Sequence, residues 1–112
     1  MTLNELETTI RSHLNDEGVF DVVLVTSSAC TQCGPIKQMF GTLNSANTNF
    51  HQIEFEGLPT LFALPSVPSI AVFYMGNKIY EAVVSGNINA QRITELLEVF
   101  KSGSFPGPIV LT

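Results

Sequence analysis

The sequence predicts an α/β domain in which a central four-stranded mixed sheet is flanked by helices. Three observations predict this fold class. A β-branched run, an apolar helix face and an alternating run follow one another, as in a strand-helix-strand unit with parallel strands. Two later apolar runs are joined by a hairpin signal, which predicts an antiparallel pair. Helical spacing of apolar residues recurs at both ends of the domain.

The first half of the chain supplies two helices and two strands. The first helix is predicted to end near Gly18, and its apolar repeat is Leu3, Leu6, Ile10 and Leu14. The almost continuously apolar run 20–25 is typical of a strand covered on both faces. Gly34-Pro35 suits the start of the second helix, whose apolar face is Ile36, Met39, Phe40 and Leu43. Residues 50–56 alternate as a second strand.

The second half predicts a hairpin and a final helix. A short helix is expected over 58–64, an apolar strand over 69–74 and a returning strand over 79–84. Asn89 is a plausible N-cap for the last helix, whose inward face is Ile93, Leu96, Leu97 and Phe100. We therefore expect one domain over 1–101 and a C-terminal tail over 102–112, rich in Gly, Pro and Ser and predicted to be mobile.

Composition argues against two classes of ligand. Five basic residues against ten acidic ones give a formal charge of −5 without any block of like charge, so nucleic acid is not expected as a partner. The mean hydropathy is positive at +0.27, yet no apolar run approaches the ~20 residues that span a bilayer, so no membrane partner is expected. The first 14 residues lack the order of a signal peptide, which predicts a cytoplasmic protein.

The only two cysteines, Cys30 and Cys33, stand three residues apart where the first predicted strand meets a helix. The positive end of a helix favours a thiolate, which is the attacking species in disulfide exchange. A structural zinc site within one chain would need His13 and His51, which lie far from the pair in sequence. The spacing therefore predicts a redox pair in which Cys30 attacks and Cys33 resolves, with an intermolecular metal site or an inert pair as alternatives.

Several motifs together resemble the thioredoxin superfamily over residues 3–100. They are Cys30-Thr31-Gln32-Cys33, Val67-Pro68-Ser69-Ile70 before a strand, Gly76-Asn77 in the hairpin and Ser85-Gly86 before the last helix. The resemblance implies a thioredoxin-like fold with a cis-proline at Pro68 facing the cysteines. Substrate backbone would then pair beside Val67 and near Ser85-Gly86.

The same resemblance implies thiol-disulfide exchange with protein substrates. It implies no bound cofactor and no metal during the cycle, and recycling of the dithiol by a reductase or glutathione. We expect the protein to act as a monomer.

The chain also departs from thioredoxins proper. It has no Trp, and it is predicted to lack the extra N-terminal strand, so we expect a core closer to glutaredoxin size. With Cys30 as the attacking thiol, the buried Asp of the family would fall on Leu24 and its lysine partner near Gln52. Resolution by Cys33 is therefore expected to be slower or to use water for proton transfer.

The cysteines can be aligned with the thioredoxin motif in a second way, which we call the second register. In it Cys33-Gly34-Pro35-Ile36-Lys37 matches the family's motif except at Ile36. In that register Cys33 would be the attacking thiol. We favour Cys30, because the apolar run 22–25 ends at the right distance from it. The disadvantage is Pro35, which would remove a hydrogen bond from a helix that began at Thr31.

Two other function classes stay open: a thioredoxin-like module that binds proteins with weak or no redox activity, and a dimer bridged by metal at Cys30.

Among the remaining polar residues, His51 is interpreted as a partly buried structural histidine. The acidic residues Asp21, Glu54 and Glu56 are interpreted as a solvated face.

Overall fold

A computed structural model describes residues 3–27, 33–54, 68–83 and 90–102 of the chain. These residues form three helices, α1 (Leu3–Ser12), α2 (Cys33–Phe40) and α3 (Ala90–Lys101). They also form four strands, β1 (Phe20–Thr26), β2 (Thr48–Glu54), β3 (Ser69–Tyr74) and β4 (Asn77–Val83). The elements follow the predicted order along the chain.

The four strands form one mixed sheet in the order β2-β1-β3-β4. β1 pairs in parallel with β2, so that Thr26 lies opposite Glu54, and antiparallel with β3, so that Val25 lies opposite Ser69. β3 and β4 form the antiparallel hairpin. The predicted α/β class and mixed four-stranded sheet are confirmed, and β1 lies at the centre as its apolar sequence indicated.

Alternate residues of β1 pack against opposite helix layers, because successive side chains of a strand point to opposite faces. One face packs against α2 and α3 in a cluster that includes Val22, Leu24, Ile36, Phe40 and Phe100. The other face packs against α1 through Leu6, Ile10, Val23, Val25 and Phe73. Burial of each large apolar side chain contributes about 1.5–3 kcal/mol, so both layers are held mainly by these contacts. The predicted inward face of α3 is confirmed.

The hairpin turn consists of Met75 and Gly76, both with positive φ, 51° and 79°. Positive φ at both central residues is what a two-residue type I′ turn requires, and glycine adopts it without a steric cost. A Cβ on Gly76 would also lie 3.4 Å from Cδ1 of Leu14. The turn therefore joins β3 to β4 and packs beneath the chain that follows α1.

Several boundaries differ from the prediction; β4, for example, begins at Asn77 and not at residue 79. α1 ends at Ser12, because the amides of His13 and Leu14 bond to the carbonyls of Ile10 and Arg11 three residues back, which closes the helix. Leu14 is consequently 54% exposed and is not part of the inward face. β2 begins at Thr48, two residues before the predicted start, because Thr48 pairs with Phe20 at the start of β1.

Some expectations fall outside the described residues: the helix over 58–64, Asn89 as an N-cap, and the tail beyond residue 102. The domain boundary after residue 101 stays a prediction. Within the described ranges, every helix is too short or too polar to cross a membrane.

Candidate functional site

The cysteine end of the molecule lies where β1 leads into α2. β1 ends at Thr26, and α2 begins at Cys33, so the two elements are joined by residues 27–32. A helix start presents unpaired backbone N–H groups and the positive end of the helix dipole. Cys33 therefore occupies the position in the helix that favours an anionic side chain. Cys30 lies outside the described residues.

The observed start of α2 bears on the choice between the two cysteine registers. Pro35 is the third residue of α2, within the first turn, where its missing N–H would have had no partner in the helix. Thr31 and Gln32 lie outside the described residues, so the choice between the two registers stays a prediction. Thr26 belongs to β1 and is buried, so the strand extends one residue beyond the apolar run.

Pro68 lies at the same end of the sheet. It is buried and directly precedes Ser69, which pairs with Val25 near the end of β1. Val83, the last residue of β4, lies opposite Ser69, so the chain leaves β4 at this end as well. The structure thus brings Pro68 and the start of α2 to one end of the sheet, whereas Val67, Ser85 and Gly86 lie outside the described residues.

In the register in which Cys30 attacks, the resemblance to thioredoxins would place the family's buried Asp at Leu24, which carries no carboxylate. Leu24 is fully buried in the apolar layer that contains Ile36. The Gln52 side-chain amide donates to the Lys37 carbonyl at 3.4 Å, and Lys37 Nζ lies 3.4 Å from Glu54 Oε1. Both groups of this ion pair are substantially exposed, so it contributes at most ~1 kcal/mol to stability. These contacts join α2 to β2.

Asp21, His13 and His51 form a polar cluster that the sequence did not predict. Asp21 was expected on a solvated face. Asp21 is only 1% exposed and lies on the α1 face of β1. Its Oδ2 is 2.7 Å from Nδ1 of His13, which follows α1, and its Oδ1 is 3.0 Å from Nε2 of His51 on β2. Asp21 is buried because two imidazoles occupy its oxygens in place of water. The interpretation of His51 as partly buried agrees with its 11% exposure.

The hydrogen bonds set the charge state of this cluster. Burial acts to raise the pKa of Asp21, but the hydrogen bonds from His51 and His13 and the charges that these rings can carry outweigh it. The pKa of Asp21 therefore lies below its ordinary value of 3.8. An ionised carboxylate only accepts, so His13 donates through Nδ1 and His51 through Nε2.

The cluster is not a metal site. Within the described ranges, no group of three or more His, Cys, Asp or Glu side chains is arranged to hold an ion. Each oxygen of Asp21 faces a different imidazole at hydrogen-bonding distance. One sequence signal could have revealed the cluster: Asp21 interrupts an otherwise apolar buried strand, and a charge in that setting requires partners.

Comparison with known proteins establishes the fold. No known protein family matches the chain, and no curated protein matches it. Among solved structures, the chain is similar to thioredoxin O2 from Arabidopsis thaliana in its oxidized state, with a TM-score of 0.53 and 17% sequence identity. The similarity covers 82% of this chain and 86% of that one. The protein therefore has a thioredoxin-like fold, and at this identity the likeness concerns the fold alone.

Proposed function

We propose that this protein is a thiol-disulfide oxidoreductase that exchanges a dithiol for a disulfide with protein substrates through Cys30 and Cys33. The observation that carries the proposal is the start of α2 at Cys33, just beyond the end of the central strand of a thioredoxin-like fold. Cys30 precedes it by three residues, a spacing at which two cysteines at a helix start can bridge.

The electrostatics of this end support thiolate chemistry. The free N–H groups at the start of α2 stabilise an anion, and no acidic side chain lies in the first turn of the helix. Lys37 lies one turn after Cys33 and is paired with Glu54 across the surface. The helix start thus supplies most of the stabilisation of the thiolate.

The exchange proceeds in two balanced steps. The Cys30 thiolate attacks one sulfur of the substrate disulfide, forming a mixed disulfide and releasing the other substrate sulfur as a thiolate. Cys33 then loses its proton and attacks Sγ of Cys30, which forms the Cys30-Cys33 disulfide and releases the second substrate sulfur. Two electrons pass to the substrate, and both substrate thiolates take up protons. A reductase or glutathione then returns two electrons to the pair.

The surroundings of the pair bear on substrate binding and on the second step. Pro68 lies at the cysteine end, so an extended substrate segment would pair beside Val67 and near Ser85-Gly86. Because Leu24 offers no carboxylate, the proton of Cys33 passes to water or to the departing substrate sulfur. We expect the protein to act in the cytoplasm, where the low reduction potential of the glutathione pool favours net reduction of substrates.

The test is the reduction of insulin disulfides by dithiothreitol with and without the protein. We expect the wild type to accelerate the reaction at least about tenfold, equivalent to roughly 1.4 kcal/mol of barrier. The Cys30→Ser/Cys33→Ser variant should leave only the rate of the reductant. Thr94→Ser, on the exposed side of α3, is the matched control and should keep the wild-type rate.

Equal rates for the wild type and the double variant, with both folded by circular dichroism, would contradict the proposal. That outcome would favour the protein-binding module. Colour or bound metal in the purified wild type, lost in the double variant, would instead favour the metal-bridged dimer.

A further inference from the structure

The Asp21 cluster joins three elements and lies away from the cysteines. Asp21 is the second residue of β1, five residues before Thr26, which places it roughly 16 Å from the cysteine end of the strand. His13 follows α1 and His51 belongs to the edge strand β2. The cluster therefore has no part in the exchange chemistry, yet it holds a buried charge.

Its position makes it an anchor for the chain between α1 and β1. In the connecting segment, residues 13–19, only His13 and Val19 are partly buried and the other residues are exposed. The segment contacts the sheet through the His13-Asp21 hydrogen bond and through a bond from the Gly18 amide to the Tyr74 hydroxyl. The body of α1 is held separately by Leu6 and Ile10, both fully buried. Loss of the His13 bond would thus loosen the His13 end of the segment, while the Gly18-Tyr74 bond still holds its other end and α1 stays packed.

The chemistry of the three side chains makes this anchor sensitive to one proton. Neutral and protonated imidazoles both donate an N–H, so protonation of His13 or His51 leaves both bonds to Asp21 in place. Protonation of Asp21 is different, because one of its oxygens becomes a donor facing a ring nitrogen that also donates. When that oxygen is Oδ2, the bond from His13 is lost, while Oδ1 can still accept from His51.

We propose that Asp21, His13 and His51 form an acid-release latch, which holds the His13 end of the connecting segment on the sheet while Asp21 is ionised and frees that end when Asp21 takes up a proton. Among the described residues, the charged groups that act on Asp21 are these two histidines alone. β2 places the uncharged Asn49 opposite Asp21, and β3 places Phe73 there. Arg11, Asp16 and Glu17, near the same end of α1, are exposed.

The sign of the pH dependence follows from the folded state. Because the pKa of Asp21 is lowered from 3.8, the stabilisation by the latch is fully present above about pH 3.8 and is lost as the pH falls through the lower folded pKa. The latch is therefore closed at neutral and mildly acidic pH.

The test is amide hydrogen exchange measured by NMR from about pH 5 to about pH 2.5, expressed as protection factors. The reporters are the amides of His13, Leu14 and Asp16, which donate within the turn after α1, and the amides of Ile93 to Phe100 in α3 are the internal control. In the wild type we expect reporter protection to fall more than control protection as the pH decreases, because only the reporters depend on the His13-Asp21 bond. Asp21→Asn, which cannot ionise, should show low reporter protection already at pH 5 and no step.

Three results would overturn the latch: no step in the wild type, an unchanged step in Asp21→Asn, or loss of protection in α1 and α3 together. A second variant keeps the test decisive if Asp21→Asn does not fold. His13→Gln retains a donor but removes one of the two charges that lower the pKa of Asp21, so the step should move to higher pH. An unmoved step in His13→Gln would also contradict the proposal.

Discussion

Replacing both His13 and His51 with alanine is expected to lower the free energy of unfolding by about 3–5 kcal/mol at pH 7. His13 and His51 donate the two hydrogen bonds that the Asp21 carboxylate accepts. The nitrogen-oxygen distances are 2.7 Å for His13 and 3.0 Å for His51. Without them, a carboxylate that is only 1% exposed has lost both partners, and an unpaired buried charge is among the costliest defects in a fold. Urea unfolding, with midpoint and slope fitted together, measures the change.

Two further variants separate the cost of leaving the Asp21 carboxylate unpaired from the cost of losing the packing of the two imidazole rings. Adding Asp21→Val to the double variant removes the charge and restores an apolar β-branched residue to β1, so part of the lost stability should return. Glu54→Gln removes an exposed acid from β2 and should change stability by at most ~1 kcal/mol. A double variant that loses less than this control would show that Asp21 does not depend on the histidines.

The single-cysteine variants are expected to behave differently from each other when mixed with a protein disulfide. With Cys30 attacking, Cys33→Ser retains the attacking thiol but cannot resolve the mixed disulfide, so a covalent complex should accumulate to near the amount of protein. Cys30→Ser should form little complex under the same conditions. Non-reducing gel electrophoresis and intact mass measurement give the yields.

The reverse pattern would identify Cys33 as the attacking thiol and would establish the second register. The choice between the registers depends on residues 28–32, which lie outside the described part of the chain, so the trapping experiment is needed to make it. Complexes of equal yield from both variants would contradict a division of roles between the two cysteines.

The fold was predictable because its signals are local. The alternation and apolar runs of β1 and β3, the helical spacing of α3 and the glycine turn at Gly76 each report the burial of nearby side chains. Leu14 was misplaced because helical spacing continues past Ser12, whereas the backbone closes α1 with turn bonds there. Apolar spacing alone does not reveal where a helix ends.

The site was predictable only in part. The spacing of Cys30 and Cys33 indicated a redox pair, and the thioredoxin-like fold with α2 beginning at Cys33 agrees with that placement. Asp21 was misread because its partners lie 8 and 30 residues away in sequence, and no local pattern connects them. Asp21 and Glu54 are both acidic residues within strands. Only the tertiary structure shows that Asp21 is buried and Glu54 is exposed.

We expect Cys30 and Cys33 to form one reversible disulfide within a single chain. The test is a titration of the purified protein in graded glutathione buffers, quenched by alkylation and followed by peptide mass mapping. We predict a single transition in which both thiols disappear together and one peptide carries the Cys30-Cys33 link. Thiols that stay alkylated across the whole series, or disulfides that join two chains, would contradict it.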